Sequence, residues 1–210
     1  MSIVSAPFTP QTFSPIAQTE QELAYELLSE PAWSEEAYLV FSEAFNRPIE
    51  LSHGRLITLP IPTLTHQRIL KQFVYHAQNW LAETERGEIL FAGHPIRLWP
   101  GKYREPDAMI WLTEHKGRMG ERESGPPDLA LEITSPTNEP HDLETKLQEY
   151  AQAGISEYWI IQPPTRGVSV YTLEGRAYRL LAHFVPGDRT RSLILPGFEV
   201  AVTELFPPET

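Results

Sequence analysis

Three residues of this chain have types and spacings that could do chemistry together: Asp107, Glu132 and Lys146. Glu132 lies in LALEIT (129–134), whose other five residues suit the interior of a β-sheet. A carboxylate buried there without partners costs on the order of several kcal/mol, so a cation or hydrogen-bond donors must offset it. Asp107 opens the preceding apolar run in REPDAMIWL, where Pro106 holds the backbone extended at the entry. If the two strands are neighbours, both carboxylates meet at one edge of the sheet. Lys146 follows Glu132 by fourteen residues (146 − 132) and falls in a helical stretch. At 100° per residue it sits about 40° from Tyr150, at the margin of the face centred on Leu143, Leu147 and Tyr150. From there an amine can extend along the helix towards the acids. Mg2+ prefers carboxylate oxygens and keeps several waters. It acidifies a bound water and steadies charge on a phosphoryl oxygen, while an ammonium nearby orients or helps deprotonate that water. Two acids and a lysine are equipment for phosphodiester hydrolysis, and would serve other anionic substrates too.

Each residue also has a plainer explanation, and the residues alone leave both open. Glu132 could be half of a buried ion pair, and Asp107 a turn residue after proline. Lys146 could pair with Asp142 one helical turn away. His66 stands at the centre of an apolar helix face, where a histidine is more often hydrogen-bonded in the core than aimed at a phosphate. No HxxxH or HxH pair marks a zinc site.

The elements that must position these groups follow from periodicity and punctuation. PIELSHGRLITL (48–59) reads as a hairpin turning at His53-Gly54. Residues 65–85 read as a helix with Ile69, Leu70, Phe73, Val74, Ala77, Trp80 and Leu81 on one face, ended by Gly87. Strands are expected at 88–92, 95–99 and 108–112, then an exposed polar loop at 113–127. LALEIT, a helix near 140–153 between Pro140 and Gly154, and EYWII (157–161) form a βαβ unit with parallel strands. Parallel strands covered on both faces account for apolar runs that do not alternate. VSVYTL and AYRLLA, joined at Glu174-Gly175-Arg176, read as an edge hairpin. Residues 20–46 look helical in pieces, with a start at Ser34. Residues 1–20, with Pro7, Pro10 and Pro15, read as a loosely docked arm, leaving 21–210 as a single domain.

The whole chain narrows the function further. At 210 residues and 41% hydrophobic content it can bury a core without staples. With no cysteine, disulfides, thiolate catalysis and Cys-based zinc sites are excluded, and a reducing cytoplasm suits the chain. No apolar run approaches the roughly 18 residues of a membrane span, and the start MSIVSAPFTPQTFSP lacks the pattern of a signal peptide. The formal charge of −11 repels nucleic acid at long range.

In order, IELSHGRLI, LTHQRIL, EPDAMIWL, PPDLALEITSPT and DLETKLQEYAQAGISEYWII resemble the Uma-two family of restriction endonucleases, within the PD-(D/E)xK nuclease superfamily. The pieces span about residues 48–162, and Pro126–Ile161 is the most specific stretch. The resemblance implies an α/β fold of the restriction-endonuclease type, a mixed sheet flanked by helices, with edge hairpins added. It implies a Mg2+-dependent endonuclease, with Mn2+ as a possible substitute, acting on DNA as a homodimer. Metal-ligand roles fall to Asp107 and Glu132, a third acidic role to Glu50 in the hairpin strand, and the lysine's role to Lys146. In the common pattern of the superfamily the lysine stands two residues after the second acid, where this chain has Thr134. The family's usual Asp-Gly turn is His53-Gly54 here. His66 and Asp142 match the pattern as well.

Arg97, Lys102, Arg104, Lys116, Arg118 and Arg122 cluster around the Asp107 strand and the loop after it. They read either as a basic rim facing a phosphate backbone or, interleaved with acids, as an ordinary solvated surface. DNA binding is therefore expected to be weak and strongly salt-sensitive. The displaced lysine and the acidic charge motivate the alternative of a catalytically inactive, nuclease-fold binding or scaffold module. A nuclease for RNA or a structured junction is a further rival.

Overall fold

The computed structural model describes residues 32–44, 48–134 and 140–206. The expected N-terminal arm, the helical pieces before residue 32 and the side chain of Asp142 lie outside the described residues.

The chain runs α1 (Glu35–Ala44), β1 (Ile49–Ser52), β2 (Arg55–Thr58), α2 (Leu64–Thr84), β3 (Gly87–Phe91), β4 (Ile96–Trp99), β5 (Lys102–Arg104) and β6 (Ala108–Leu112). A 3-10 helix (Thr113–Arg118) leads on to β7 (Leu129–Ile133), α3 (Pro140–Gln152), β8 (Glu157–Gln162), β9 (Gly167–Glu174) and β10 (Ala177–Phe184). The last elements are β11 (Arg189–Arg191), β12 (Glu199–Ala201) and a short α4 (Val202–Leu205).

A mixed six-stranded sheet, in the order β10-β9-β8-β7-β6-β3, forms the centre. Among the described strands only β7 and β8 pair in parallel, joined by α3. Burial on both faces, rather than parallel pairing, makes the central runs continuously apolar. β6 is antiparallel to both its neighbours, and four of its five residues are buried. Strand alternation divides the core. Ala108, Ile110, Leu129, Leu131, Trp159 and Ile161 face one way, towards Ile69, Phe73 and Leu81 of α2. Met109, Trp111, Ala130, Tyr158 and Ile160 face the other way, towards Tyr150 of α3. Glu132 shares parity with Ala130, so it must point to the α3 side.

A second sheet, β2-β1-β5-β4, is antiparallel throughout and packs Ile49, Leu51, Leu56 and Tyr103 against Tyr38 of α1. Its leading hairpin turns on two residues with positive φ, His53 (51°) and Gly54 (74°), the signature of a type I′ turn. α1 starts where Ser34 predicts, its Oγ accepting from the Ala37 amide at 3.1 Å. β9 and β10 form the expected edge hairpin.

One boundary differs from expectation. Helix α2 ends at Thr84, with Glu85 in the left-handed region (φ 55°) as its cap. Gly87 is instead the first residue of β3, where a Cβ would come within 2.4 Å of the Trp111 carbonyl oxygen. That glycine is required by close strand approach, not by helix termination.

Candidate active site

The register β6–β7 pairs Ala108 with Leu131, so one step further Asp107 stands opposite Glu132. Both line one cavity of about 110 Å3, together with His66, Glu105, Ile133 and Lys146. Asp107 is fixed by its neighbours: its Oδ2 accepts from the Ile133 amide at 2.7 Å and lies 3.1 Å from His66 Nε2. His66 reaches it from the first turn of α2, where Thr63 Oγ1 caps the His66 amide. Burial alone would lower the histidine's pKa, but the bond to Asp107 and the Asp107 and Glu132 charges raise it.

Glu132 is 5% exposed and finds the partners its burial demands. Its Oε1 accepts from Lys146 Nζ at 3.0 Å and from the Tyr150 hydroxyl at 2.8 Å. Lys146 and Tyr150 are one helical turn apart on α3, which is why one side chain of the strand meets both. Lys146 is itself buried, 3% exposed. Burial pushes the Glu132 carboxyl up to about 7, against the pull of Lys146, and the Asp107 and Glu50 charges add to the rise.

Glu50 lies behind this pair rather than on the cavity wall. Its Oε1 is 3.8 Å from Lys146 Nζ and accepts from the Glu105 amide at 3.3 Å, and its Oε2 is paired with Arg104 Nη1. Burial raises the Glu50 pKa, but the Lys146 and Arg104 charges outweigh it and hold the carboxyl below its usual value. Arg104 continues to Glu149 of α3 at 2.7–2.8 Å, and Glu149 pairs with Lys102, which donates to Ser52 Oγ at 2.9 Å. The four expected residues therefore come together, Asp107 and Glu132 on the cavity and Glu50 behind Lys146.

Sequence reasoning missed Glu105, Glu149 and the interior places of Lys102 and Arg104. Glu105 is 6% exposed and lines the cavity. Its Oε1 accepts a long bond of 3.4 Å from the Ile49 amide, and its Oε2 has no partner among the described residues. Burial pushes its carboxyl up to about 7, aided by the Glu50 charge.

The donor set fits a divalent cation. Three buried cations, Lys102, Arg104 and Lys146, face five carboxylates, Glu50, Glu105, Asp107, Glu132 and Glu149. With all of them ionised and His66 neutral, two negative charges stand in excess, and Glu105, with an oxygen that has no partner among the described residues, lines the same cavity as Asp107 and Glu132. Among the described residues no three His, Asp or Glu side chains already surround one point. A cation that keeps part of its water shell suits such a site.

The basic rim does not form as a free patch. Lys102 and Arg104 are interior. Arg97 pairs with Glu35 at 2.7 Å, Lys116 with Glu88 at 3.2 Å and Arg122 with Glu43 at 2.5 Å, while Arg118 lies 3.8 Å from Asp128. A larger cavity of about 760 Å3, between α3 and the β9–β10 hairpin, holds none of these acids. No helix among the described residues is long and apolar enough to cross a membrane.

Residues 36–203 match the model of the Uma2 family, described as "Putative restriction endonuclease". The structure is similar to a crystal structure titled as that of "a putative nuclease belonging to DUF820" from Anabaena variabilis, with a TM-score of 0.64 and 16% sequence identity. The match covers 80% of this chain and 96% of the other, and at that identity it shows a shared fold. No protein with a curated description matches the chain.

Proposed function

This chain belongs to the Uma2 family, and from that premise we propose that the Asp107–Glu132 cavity is the active site of a divalent-cation-dependent nuclease hydrolysing DNA phosphodiester bonds. The observation that carries the reading is the convergence of Asp107 and Glu132, opposite one another on adjacent strands, on a single cavity with Lys146 bonded to Glu132.

Asp107 and Glu132 would hold the cation, Mg2+ or Mn2+ by the chemistry of an all-oxygen donor set. When bound, it supplies charge neutralisation at the phosphoryl oxygens and acidifies water. The protein's own groups do the rest. Lys146 holds its ammonium beside the attacking water and offsets charge that builds on the phosphate. Glu50, drawn tight by Arg104, keeps Lys146 directed between itself and Glu132. Tyr150 keeps Glu132 in place by its hydroxyl bond. His66 fixes the orientation of the Asp107 carboxylate while the Ile133 amide holds the same oxygen. Water adds to phosphorus as the bond to the departing sugar oxygen breaks, and that oxygen leaves with a proton. DNA would bind weakly and with strong salt dependence, given the −11 formal charge and the pairing of the cations around the cavity strand.

Supercoiled plasmid incubated with Mg2+ or Mn2+ tests the reading. The wild type is expected to nick it, and Asp107→Ala and Glu132→Ala to leave it intact at equal concentration. Loss of one member of such a site costs several orders of magnitude in rate. A wild type as inert as both variants, on DNA and on a panel of RNA and junction substrates, would instead favour the non-catalytic binding module.

A further inference from the structure

We propose that Glu105 is a third cation-binding carboxylate of this cavity, its free Oε2 taking up the divalent cation or a water of the cation's hydration shell. The inference rests on the reading of the cavity as a divalent-cation site and extends it to a residue outside the acid pair.

Glu105 is buried, yet only one of its oxygens is bonded, by the 3.4 Å contact from the Ile49 amide. The other meets no donor among the described residues. Buried carboxylate oxygens are rarely left so, because the desolvation cost goes unrecovered. The nearby cations are engaged elsewhere: Arg104 on Glu50 and Glu149, Lys102 on Glu149 and Ser52, Lys146 on Glu132 and Glu50. The backbone commits Glu105 to this position. Its amide donates to Glu50, and Pro106 restricts its conformation to the extended region. Extended geometry sends side chains two apart to the same side, so Glu105 and Asp107 share the cavity wall. Among the described residues no three acids are gathered closely enough to bind one bare ion. A hard cation that retains waters removes that difficulty, since a carboxylate too distant for direct ligation still accepts hydrogen bonds from those waters.

Titration calorimetry of the full chain with Mn2+ alone, on wild type, Glu105→Gln, Asp107→Asn and the remote Glu114→Gln, tests this. Glutamine keeps the size and the Ile49 contact but removes the charge. Glu105→Gln is expected to weaken Mn2+ binding about 10- to 100-fold, and Glu114→Gln to leave it unchanged. Thermal unfolding separates ligation from a merely structural part. If Glu105 serves the cation, Glu105→Gln melts no lower than wild type without metal and gains less from added Mn2+. Wild-type Mn2+ affinity in Glu105→Gln, with binding lost in Asp107→Asn, overturns the role of Glu105 and leaves the site reading standing. A lower metal-free midpoint with an unchanged rise on Mn2+ addition overturns it as well. Failure of the wild type to bind Mn2+ removes both.

Discussion

The buried charge network has two halves that differ in how fully their charges are matched. At the back, Glu50 and Glu149 are clasped by Lys102, Arg104 and Lys146, and Glu50 is held ionised despite being wholly buried. At the cavity wall, Glu105 has an oxygen with no donor among the described residues, Glu132 accepts from Lys146 and Tyr150 on a single oxygen, and both carboxyls are pushed up to about 7. Glu50 and Glu105 even share a hydrogen bond through the Glu105 amide, so proximity in space and burial do not set the difference. What sets it is the direction in which the cations point. A fold that needed only stability would match every acid, or replace the network with apolar side chains at little cost. The uneven matching leaves Glu105 under-compensated at the cavity wall, with paired ions behind it.

The largest effect should come from breaking the matched half. Arg104→Met strips Glu50 and Glu149 of their shared partner and leaves buried carboxylates under-compensated. It is expected to cost about 3–5 kcal/mol, measured as a fall in the urea midpoint. Arg122→Gln, which removes an exposed ion pair with Glu43, should barely shift the midpoint. Equal shifts in the two variants would mean that the network does not bear on stability, and the contrast between its halves would lose its meaning.

Titration should sharpen the contrast next. In the metal-free protein, Glu105 and Glu132 keep their protons up to about 7 when folded, while an unfolded glutamate releases its proton near 4.5. Between those values the folded state binds more protons, so the contribution of both groups to stability falls as pH rises. Glu50 runs the other way: its lowered pKa contributes stability above 4.5 that is lost as pH falls. His66, raised above 6.5, contributes stability at lower pH that fades as pH rises through its folded value. Melting curves of wild type and Glu105→Gln should therefore diverge in favour of the variant as pH climbs from about 4.5 to about 7. A constant gap across that window would show that Glu105 is not titrating as a buried, under-matched acid.

The cavity half was the more legible in sequence, for a physical reason. Glu132 stands out because an acid interrupts an apolar strand, and Asp107 because proline fixes it at a strand entry. Lys146 follows from the angle between helix positions. The matched half hides because it is built of charge. β5 is a strand of Lys102, Tyr103 and Arg104, all buried, and a pattern of apolar periodicity has no means of marking a strand interior held by ion pairs. The same blindness made Lys102 and Arg104 look like a surface rim. Glu105 was in view within REPD, but its burial depends on β5 pairing with β1 across fifty residues of chain, which local sequence does not reveal. Gly87 misled in another way, since a glycine after a helix resembles a terminator until the Trp111 carbonyl is seen against it.

The smallest change tests whether the acid on the cavity wall is stabilised through charge or through packing. Tyr150→Phe removes one donor from Glu132 and keeps the ring that packs edge-on against Tyr158. A hydrogen bond to a charged group is worth about 1.5–3 kcal/mol, and one to a neutral group about half that. Because Glu132 ionises near 7, the loss should approach the charged figure above that pH and the neutral one well below it. Tyr178 supplies the reference: its hydroxyl donates at 2.8 Å to the Ile155 carbonyl, a neutral acceptor, so Tyr178→Phe should cost the same at both ends of the range. Urea unfolding of both variants at about pH 5 and about pH 8 makes the comparison. A pH-dependent cost for Tyr150 alone places a change of charge on Glu132 in the folded, metal-free protein; parallel costs would mean that Glu132 does not titrate between those pH values.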